Sequence, residues 1–197
     1  MHVVNDIRLK GRRMPGMRVP ALKDDSLEGR KPDVLIIGGG ISGCSIAREL
    51  TRWKLDILLV DKEADLAVQA SGRNDGEVHP GVDLGRGTLK QHYVVKGNRM
   101  FDKLCRDLDV PFQRCGQYAG FTDWYALPLV WMYAQQRRLV CGVDDTRIVL
   151  GKELHRREPG LNPDFKFALY NSKAGCVCPY GLTIAYGENA VMNGAQI

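Results

Sequence analysis

The chain has 197 residues, 44% of them hydrophobic, and a formal net charge of +5. This length and composition suit one ordinary domain or two small ones, and they exclude a fibrous or largely disordered protein. Residues 1–31 carry eight Lys/Arg against four Asp/Glu, so the rest of the chain is nearly neutral. Because phosphate binding needs cations clustered on one face, we expect no nucleic-acid partner for the folded part.

The first segment, residues 1–31, has no apolar core of signal-peptide length, and its acidic residues Asp24, Asp25 and Glu28 are unusual in a transit peptide. We expect a disordered basic leader there. No stretch approaches the roughly 20 apolar residues of a membrane helix. Six cysteines without an export signal indicate reduced thiols, so the cytoplasm is the expected location.

The next segment combines two apolar runs with a helical pattern between them. The β-branched run Val34–Ile37 predicts a strand buried on both faces. Apolar residues then recur at helical spacing from Ile41 to Leu50, which predicts a helix directly after the glycines. Residues 55–60, "LDILLV", predict a second strand. Strand, helix and strand in this order predict a βαβ unit with parallel strands.

The remainder of the chain is predicted to be a long loop followed by alternating helices and strands. The loop covers the glycine-rich residues 70–88, and a loop of that length inside a compact domain is usually functional. Helices are predicted at 89–108, at 124–139, in a short segment ending before Pro159, and at 182–193; strands are predicted at 112–121, 165–170 and 174–181.

Gly38, Gly40 and Gly43 form a G-x-G-x-x-G motif between the first predicted strand and the first predicted helix. Gly38 permits the sharp turn, Gly40 lets a diphosphate approach the backbone, and Gly43 lets helix and strand pack closely. The amides at the helix start, including those of Ile41 and Ser42, and the positive end of the helix dipole suit an anion. The motif therefore predicts a dinucleotide diphosphate site.

Asp61 and Lys62 follow the second predicted strand and complete this candidate site. Asp61 stands 18 residues after Gly43, near the spacing at which an acid accepts the ribose hydroxyls of an adenosine. A carboxylate there would repel a 2'-phosphate, so NADP is disfavoured. The glycine motif does not distinguish NAD from FAD.

The residues Ser71, Gly72, Arg73, Asn74 and Gly76 follow the strand-end acid by about ten positions. This stretch resembles the D-amino-acid-oxidase-like flavoproteins, in which a Ser-Gly-Arg-Asn-x-Gly segment lies along FAD. Its hydroxyl, amide and guanidinium donors suit phosphate and ribityl oxygens, and its glycines keep the main chain close. The resemblance covers roughly residues 33–197 and implies FAD as the cofactor.

Within this superfamily, the chain is most similar to bacterial FAD-dependent glycerol-3-phosphate dehydrogenases and to L-2-hydroxyglutarate oxidases. The resemblance implies hydride transfer from a small hydroxy substrate to flavin, with electrons passing to a quinone, a carrier protein or oxygen. Glycerol 3-phosphate is the first candidate substrate, a 2-hydroxy acid the second and an amine the third. An NAD-linked dehydrogenase and an inactive nucleotide-binding module remain as alternatives.

The resemblance also implies the domain organisation of this α/β chain. An incomplete Rossmann-like FAD-binding domain is expected at 32–88 and 179–197, and part of an inserted mixed α+β substrate domain at 89–178. Members of the superfamily run to several hundred residues. We therefore expect an N-terminal fragment that binds FAD weakly and has no activity alone.

A few single residues have competing interpretations. His79 is either a proton acceptor or covalent anchor for flavin, or a hydrogen-bonded loop side chain. Cys176 and Cys178 form a C-x-C pair, but zinc usually needs four ligands, so no metal site is expected and both are interpreted as buried packing residues, as is Cys44. The aromatic residues 124–133 either contact a membrane surface or pack within the substrate domain.

Overall fold

The computed structural model describes residues 25–197. Most of the predicted leader therefore lies outside the described residues. The described end of the leader contains a 3-10 turn at Asp25–Leu27. Arg30 Nη2 donates to both carboxylate oxygens of Asp56, at 2.8 and 2.9 Å. This ion pair connects Arg30 to the segment that precedes the second strand, and the disorder of the leader stays a prediction.

A parallel βαβ unit forms the first part of the fold, as predicted. It consists of β1 (Val34–Ile37), α1 (Ile41–Leu50) and β2 (Ile57–Val60), with Val34 opposite Ile57 and Ile37 opposite Val60. The helix turns Cys44 and Ala47 towards the core, where both are 0% exposed. The predicted burial of Cys44 is therefore confirmed, and the apolar face of α1 fixes the helix against the sheet.

The middle of the chain contains six further strands and three further helices among the described residues. The strands are β3 (Glu77–Val78), β4 (Phe112–Gln113), β5 (Gln117–Phe121), β6 (Arg147–Leu150), β7 (Phe167–Asn171) and β8 (Gly175–Val177). The helices are α2 (Leu89–Asp107), α3 (Leu127–Leu139) and α4 (Gly151–Arg157). The strands form two antiparallel sheets, ordered β3-β8-β4 and β5-β7-β6.

Helices cover both faces of the β5-β7-β6 sheet. Phe167 and Leu169 of β7 pack with Val130 of α3 in one cluster, whereas Ala168 packs with Leu154 of α4 in another. Successive side chains of a strand point to opposite faces. The near-continuous apolar character of β7 follows from burial on both sides.

The last helix, α5 (Pro179–Met192), returns the chain to the βαβ unit. It packs against α1, where Arg48 Nε donates to Asn189 Oδ1 at 2.9 Å. The chain then runs beside β2, with Leu59 N donating to Gln196 O at 2.8 Å and Gln196 N donating to Ile57 O at 2.9 Å. Residues around Gln196 therefore extend the parallel sheet along the edge of β2 opposite β1.

Three features of the middle region differ from the sequence prediction. The strand predicted at 112–121 is two strands of different sheets, because Gly116 at φ +75° turns the chain between them. Strand β6 was not predicted, since its four residues are held by long-range pairing with β7. The predicted loop 70–88 contains β3, which pairs with β8.

The aromatic segment before and within α3 is packed on one side and exposed on the other. Tyr133 donates its hydroxyl to Val82 O at 2.5 Å, and the Trp124 ring stacks on Phe167 with centroids 5.9 Å apart. Trp131 and Tyr125 remain 55% and 83% exposed. No helix in residues 25–197 combines the length and apolar composition needed to cross a bilayer.

Candidate functional site

The glycine turn joins the end of β1 to the start of α1. Gly38 adopts φ +115°, a conformation that favours glycine, and its amide donates to Val60 O at the end of β2 at 2.8 Å. A Cβ on Gly43 would lie 1.9 Å from the Gly38 carbonyl oxygen. The turn and the close helix packing therefore have the geometry that the motif predicts.

Asp61 lies at the end of β2 and is tied to this turn. Its Oδ2 accepts a hydrogen bond from Gly39 N at 2.5 Å, and its Oδ1 accepts one from Glu63 N at 2.8 Å. These two backbone bonds, that of Gly39 above all, hold the pKa of the Asp61 carboxyl below its ordinary value. Asp61 is therefore a solvent-exposed carboxylate at neutral pH. Lys62 beside it is 82% exposed.

Ser71 brings the glycine-rich loop to the start of α1. Its Oγ accepts a hydrogen bond from Ile41 N at 2.9 Å, and a Cβ on Gly40 would meet that same oxygen at 2.9 Å. The amides of Ser42 and Gly43 belong to the first turn of the helix, where N–H groups have no intrahelical acceptor. Hydroxyl and amide donors thus converge at the positive end of the helix dipole.

Asn74 fixes the main chain of the loop. Its Nδ2 donates to the carbonyl oxygens of Ala70 and Ser71, each at 3.0 Å, and its Oδ1 accepts from Gly76 N at 2.9 Å. Gly76 adopts φ +70°, and a Cβ there would lie 2.1 Å from Val177 O. These residues hold the loop in one conformation, with β8 against it.

The other predicted loop residues occupy three different settings. A Cβ on Gly72 would lie 2.2 Å from Ala67 O, so the backbone is close there. Arg73 is exposed. His79 has a side chain 49% exposed, and its Nδ1 lies 3.3 Å from Glu77 Oε1. This is the geometry of a partly exposed histidine beside a carboxylate, and its role towards flavin stays a prediction.

One cleft brings most of these groups together. It is lined by the glycine turn, the end of β2 and the start of the loop, including Gly39, Gly40, Asp61, Glu63 and Ser71. The enclosed part holds about 30 Å³, which is the share of a single water molecule. This volume is too small for a dinucleotide, so only the open mouth of the cleft could accommodate one. An acid, a hydroxyl and a helix start at that mouth fit the group.

Asn98 of α2 positions the segment that follows the loop, and sequence reasoning missed it. The residue is 4% exposed, and its Nδ2 donates to Val78 O at 3.2 Å and to the carbonyl oxygens of His79 and Lys173, each at 3.0 Å. A signal was present, because Asn98 falls four residues after the apolar Val94 and so lies on the same side of the predicted helix. A polar residue in such a place is usually hydrogen-bonded.

Arg114 completes this polar network. Its Nη1 donates to Asn98 Oδ1 at 3.0 Å, and its Nη2 donates to Asn98 O at 2.8 Å and to Asp102 Oδ2 at 2.6 Å. The bond to Arg114 holds the pKa of the Asp102 carboxyl below its ordinary value. The guanidinium therefore orients the Asn98 amide, which in turn orients the backbone at Val78 and His79.

The βαβ unit, with its helix start facing a strand-end acid, defines a dinucleotide-binding protein of the Rossmann type. The model of the FAD dependent oxidoreductase (DAO) family matches residues 33–197, and the chain belongs to that family. The cofactor of the family is FAD, which confirms the cofactor predicted from the sequence. The predicted α/β fold, a Rossmann-like FAD-binding domain with part of a substrate domain, is confirmed as well.

Known proteins similar to this chain include two dehydrogenases and one oxidase. A glycerol 3-phosphate dehydrogenase of Caloramator mitchellensis is 40% identical over 166 residues, covering 84% of this chain and 34% of the relative. A mitochondrial L-2-hydroxyglutarate dehydrogenase of Nematostella vectensis is 30% identical over 167 residues, covering 84% of this chain and 36% of the relative. The FAD-bound L-alpha-glycerophosphate oxidase of Mycoplasma pneumoniae superposes with a TM-score of 0.76 at 26% identity, covering 85% of this chain and 44% of that one. The chain thus spans about a third of the length of these curated relatives.

Proposed function

We propose that the protein oxidises a small hydroxy compound with FAD, and that the compound is glycerol 3-phosphate, which becomes dihydroxyacetone phosphate. The observation that carries the proposal is the convergence of Gly39, Asp61 and Ser71 on one cleft at the start of α1. The 40% identity to a glycerol 3-phosphate dehydrogenase supports this substrate.

Each cleft residue has a proposed task in holding the cofactor. The amides of Gly40, Ser42 and Gly43 bind the diphosphate, since they lie at the positive end of the α1 dipole. Asp61 accepts the ribose hydroxyls with the lone pairs that Gly39 and Glu63 leave unused. When bound, FAD would supply the hydride-accepting chemistry, and the electrons taken from the substrate would pass on to a quinone, a carrier protein or oxygen.

The loop is proposed to lie along the flavin half of the cofactor. Ser71 and Arg73 offer polar groups to phosphate and ribityl oxygens, while Gly72 and Gly76 keep the backbone close. The main chain that Asn98 holds at His79 then lies next to the ring. This chain's own contribution is to position groups, as is usual where a cofactor carries the reaction.

A 2-hydroxy acid is the second candidate substrate, because a relative at 30% identity is an L-2-hydroxyglutarate dehydrogenase. Since the chain alone is expected to be inactive, anaerobic mixing of each compound with the FAD-loaded whole protein that contains this chain distinguishes the two. We expect glycerol 3-phosphate to bleach the flavin band near about 450 nm faster than L-2-hydroxyglutarate or glycine. Faster bleaching by L-2-hydroxyglutarate would transfer the assignment to the acid, and bleaching by glycine alone would refute a hydroxy substrate.

The cofactor site has a separate test. Gly40→Leu would place bulk on Ser71 Oγ, and Asp61→Ala would remove the ribose acceptor. We expect each variant to weaken FAD binding at least tenfold in equilibrium dialysis, since about 1.4 kcal/mol corresponds to a factor of ten. Gly97→Ala is the control, because a Cβ there meets nothing within 4 Å. Unchanged affinity in both cleft variants would refute the site.

Peripheral contact with a membrane is a second proposal, supported by the exposed rings of Trp131 and Tyr125. Amphipathic aromatic rings suit the interface between headgroups and acyl chains, and such contact would bring the enzyme to a quinone. We expect the protein to float with anionic liposomes and Trp131→Asp to float less. Equal flotation of both proteins, or flotation of neither, would contradict the proposal.

A further inference from the structure

Cys115 and Cys176 form a thiol pair on the sheet β3-β8-β4, remote in sequence from the glycine turn. Their Sγ atoms are 3.4 Å apart, and both residues are exposed and unpaired by any disulfide. The sequence interpretation of Cys176 as a buried packing residue is therefore wrong, and the same holds for Cys178. The reason is that β8 has one covered and one open face, and Cys176 lies on the open one.

The strand register brings the two thiols together. Gln113, the last residue of β4, pairs with Cys176, and beyond the strand Gly116 N donates to Ala174 O at 3.0 Å. Cys115 lies between these two backbone contacts, which keep it beside Cys176. Backbone hydrogen bonds on both sides hold the two segments next to each other, which keeps the two thiols within reach.

The two sulfurs differ in their surroundings. The contact with Cys115 is the first cause that raises the pKa of the Cys176 thiol, followed by partial desolvation and by the negative charges of Glu77 and Asp75. Either sulfur can donate the hydrogen of this contact to the other. Each thiol can supply the nucleophile of the pair once it loses its proton, because the thiolate is the reactive form.

We propose that Cys115 and Cys176 are a reversible redox pair, which hydrogen peroxide closes to a disulfide and a small dithiol reopens. One of the two thiols, as its thiolate, attacks one peroxide oxygen, which breaks the O–O bond, releases hydroxide and leaves a sulfenic acid. The other sulfur then attacks the sulfur of the sulfenic acid, gives up its proton and displaces a second hydroxide. The two thiols lose two electrons and two protons, and the peroxide becomes two molecules of water.

Closing this bond requires a small movement. The sulfurs must approach from 3.4 Å to about 2.05 Å, which side-chain rotation and a slight backbone shift supply. Cys44, Cys105 and Cys141 are buried and do not compete for the oxidant. Residues 25–197 contain no group of three His, Cys, Asp or Glu side chains placed to hold a metal ion.

The disulfide would join two regions that the cofactor loop depends on. Cys176 pairs directly with Glu77 of β3, the strand that follows the loop, and Cys115 precedes the turn at Gly116 that leads into β5. Oxidation would therefore fix the junction between the two antiparallel sheets. This inference does not rest on the proposed substrate, because the thiol pair is independent of the chemistry in the cleft.

Mass spectrometry of the FAD-loaded protein tests the proposal. Treatment with one equivalent of hydrogen peroxide should lower the intact mass by about 2 Da, and subsequent N-ethylmaleimide should add two fewer groups than it adds to the untreated protein. Dithiothreitol should restore both. Tryptic cleavage after Arg114 and Lys173 separates Cys115 from Cys176, so the disulfide should appear as one linked pair of peptides that falls apart on reduction.

Matched variants decide which thiols take part, because Cys176 and Cys178 remain in one tryptic peptide. Cys178→Ser removes the exposed cysteine two residues away and should leave the linked pair unchanged. Cys115→Ser and Cys176→Ser should each abolish it. The proposal is overturned if the linked pair persists in Cys176→Ser, or if the wild-type protein after peroxide still takes up N-ethylmaleimide at both Cys115 and Cys176.

Discussion

A single methyl group added at Gly43 tests the contact between α1 and the turn before it. The new Cβ would lie 1.9 Å from Gly38 O and 3.4 Å from Ile36 Cγ2. The carbonyl oxygen belongs to a backbone held at φ +115°, so no side-chain rotation relieves the clash. The helix must instead move by more than about 1 Å to reach an ordinary contact distance.

The expected magnitude is the balance of two opposing effects. Alanine is favoured over glycine inside a helix by about 0.5–1 kcal/mol, whereas overpacking costs about 1–3 kcal/mol. We expect Gly43→Ala to lower the free energy of unfolding by about 1–2 kcal/mol and to weaken FAD binding, since the α1 amides move.

Gly97 of α2 is the matched control for this change. A Cβ there meets nothing within 4 Å, so Gly97→Ala should raise the free energy of unfolding by about 0.5–1 kcal/mol. Urea denaturation followed by circular dichroism measures both variants. The reasoning fails if Gly43→Ala is as stable as wild type while Gly97→Ala shows the expected gain.

Three further predictions concern side chains. The hydrogen bonds that lower the pKa of Asp61 stabilise the folded state at pH values above the ordinary carboxyl pKa of 3.8, and this stabilisation is lost as pH falls through the lowered pKa. In urea unfolding, Asp61→Asn should therefore be less stable than wild type at neutral pH, and the two proteins should be equally stable in acid. Asn98→Asp replaces three donated hydrogen bonds with repulsion between oxygens and should lower the free energy of unfolding by about 1–3 kcal/mol. Asn74→Asp changes an exposed residue and should lower the free energy of unfolding by less. Burial raises the pKa of Cys44 to about 11. N-ethylmaleimide at neutral pH should therefore label the exposed Cys178 and leave Cys44 unlabelled until urea unfolds the protein. Rapid labelling of Cys44 in the folded protein would contradict its burial.

The βαβ unit could be predicted from the sequence because its signals are local. A β-branched run, a glycine turn and a helical repeat each lie within about a dozen residues, and they agree with one another. The same agreement located Gly38, Gly43 and Asp61 at one edge of the sheet. The bond from Gly39 N to the Asp61 carboxylate was not predicted, although the same topology brings both residues to that edge.

Features built by distant residues were beyond the sequence. The four residues of β6 form a strand only because β7 pairs with them, and Cys176 is exposed only because β8 has an open face. Asn98 was missed for a related reason, since the carbonyl oxygens that it binds come from positions 78, 79 and 173. Period and composition report which residues are apolar, but they do not report which backbone groups meet across the fold.

The pairing of β2 with Gln196 has a consequence for biosynthesis. The ribosome releases β1, α1 and β2 long before it reaches Gln196, and at roughly 5–20 residues per second the interval is on the order of 10 s. During that time one edge of β2 has no partner strand, and an open edge is a template for aggregation. Maturation of the nucleotide-binding half should therefore be slow and sensitive to crowding among nascent chains, and a chaperone that shields this edge should raise the yield of folded protein.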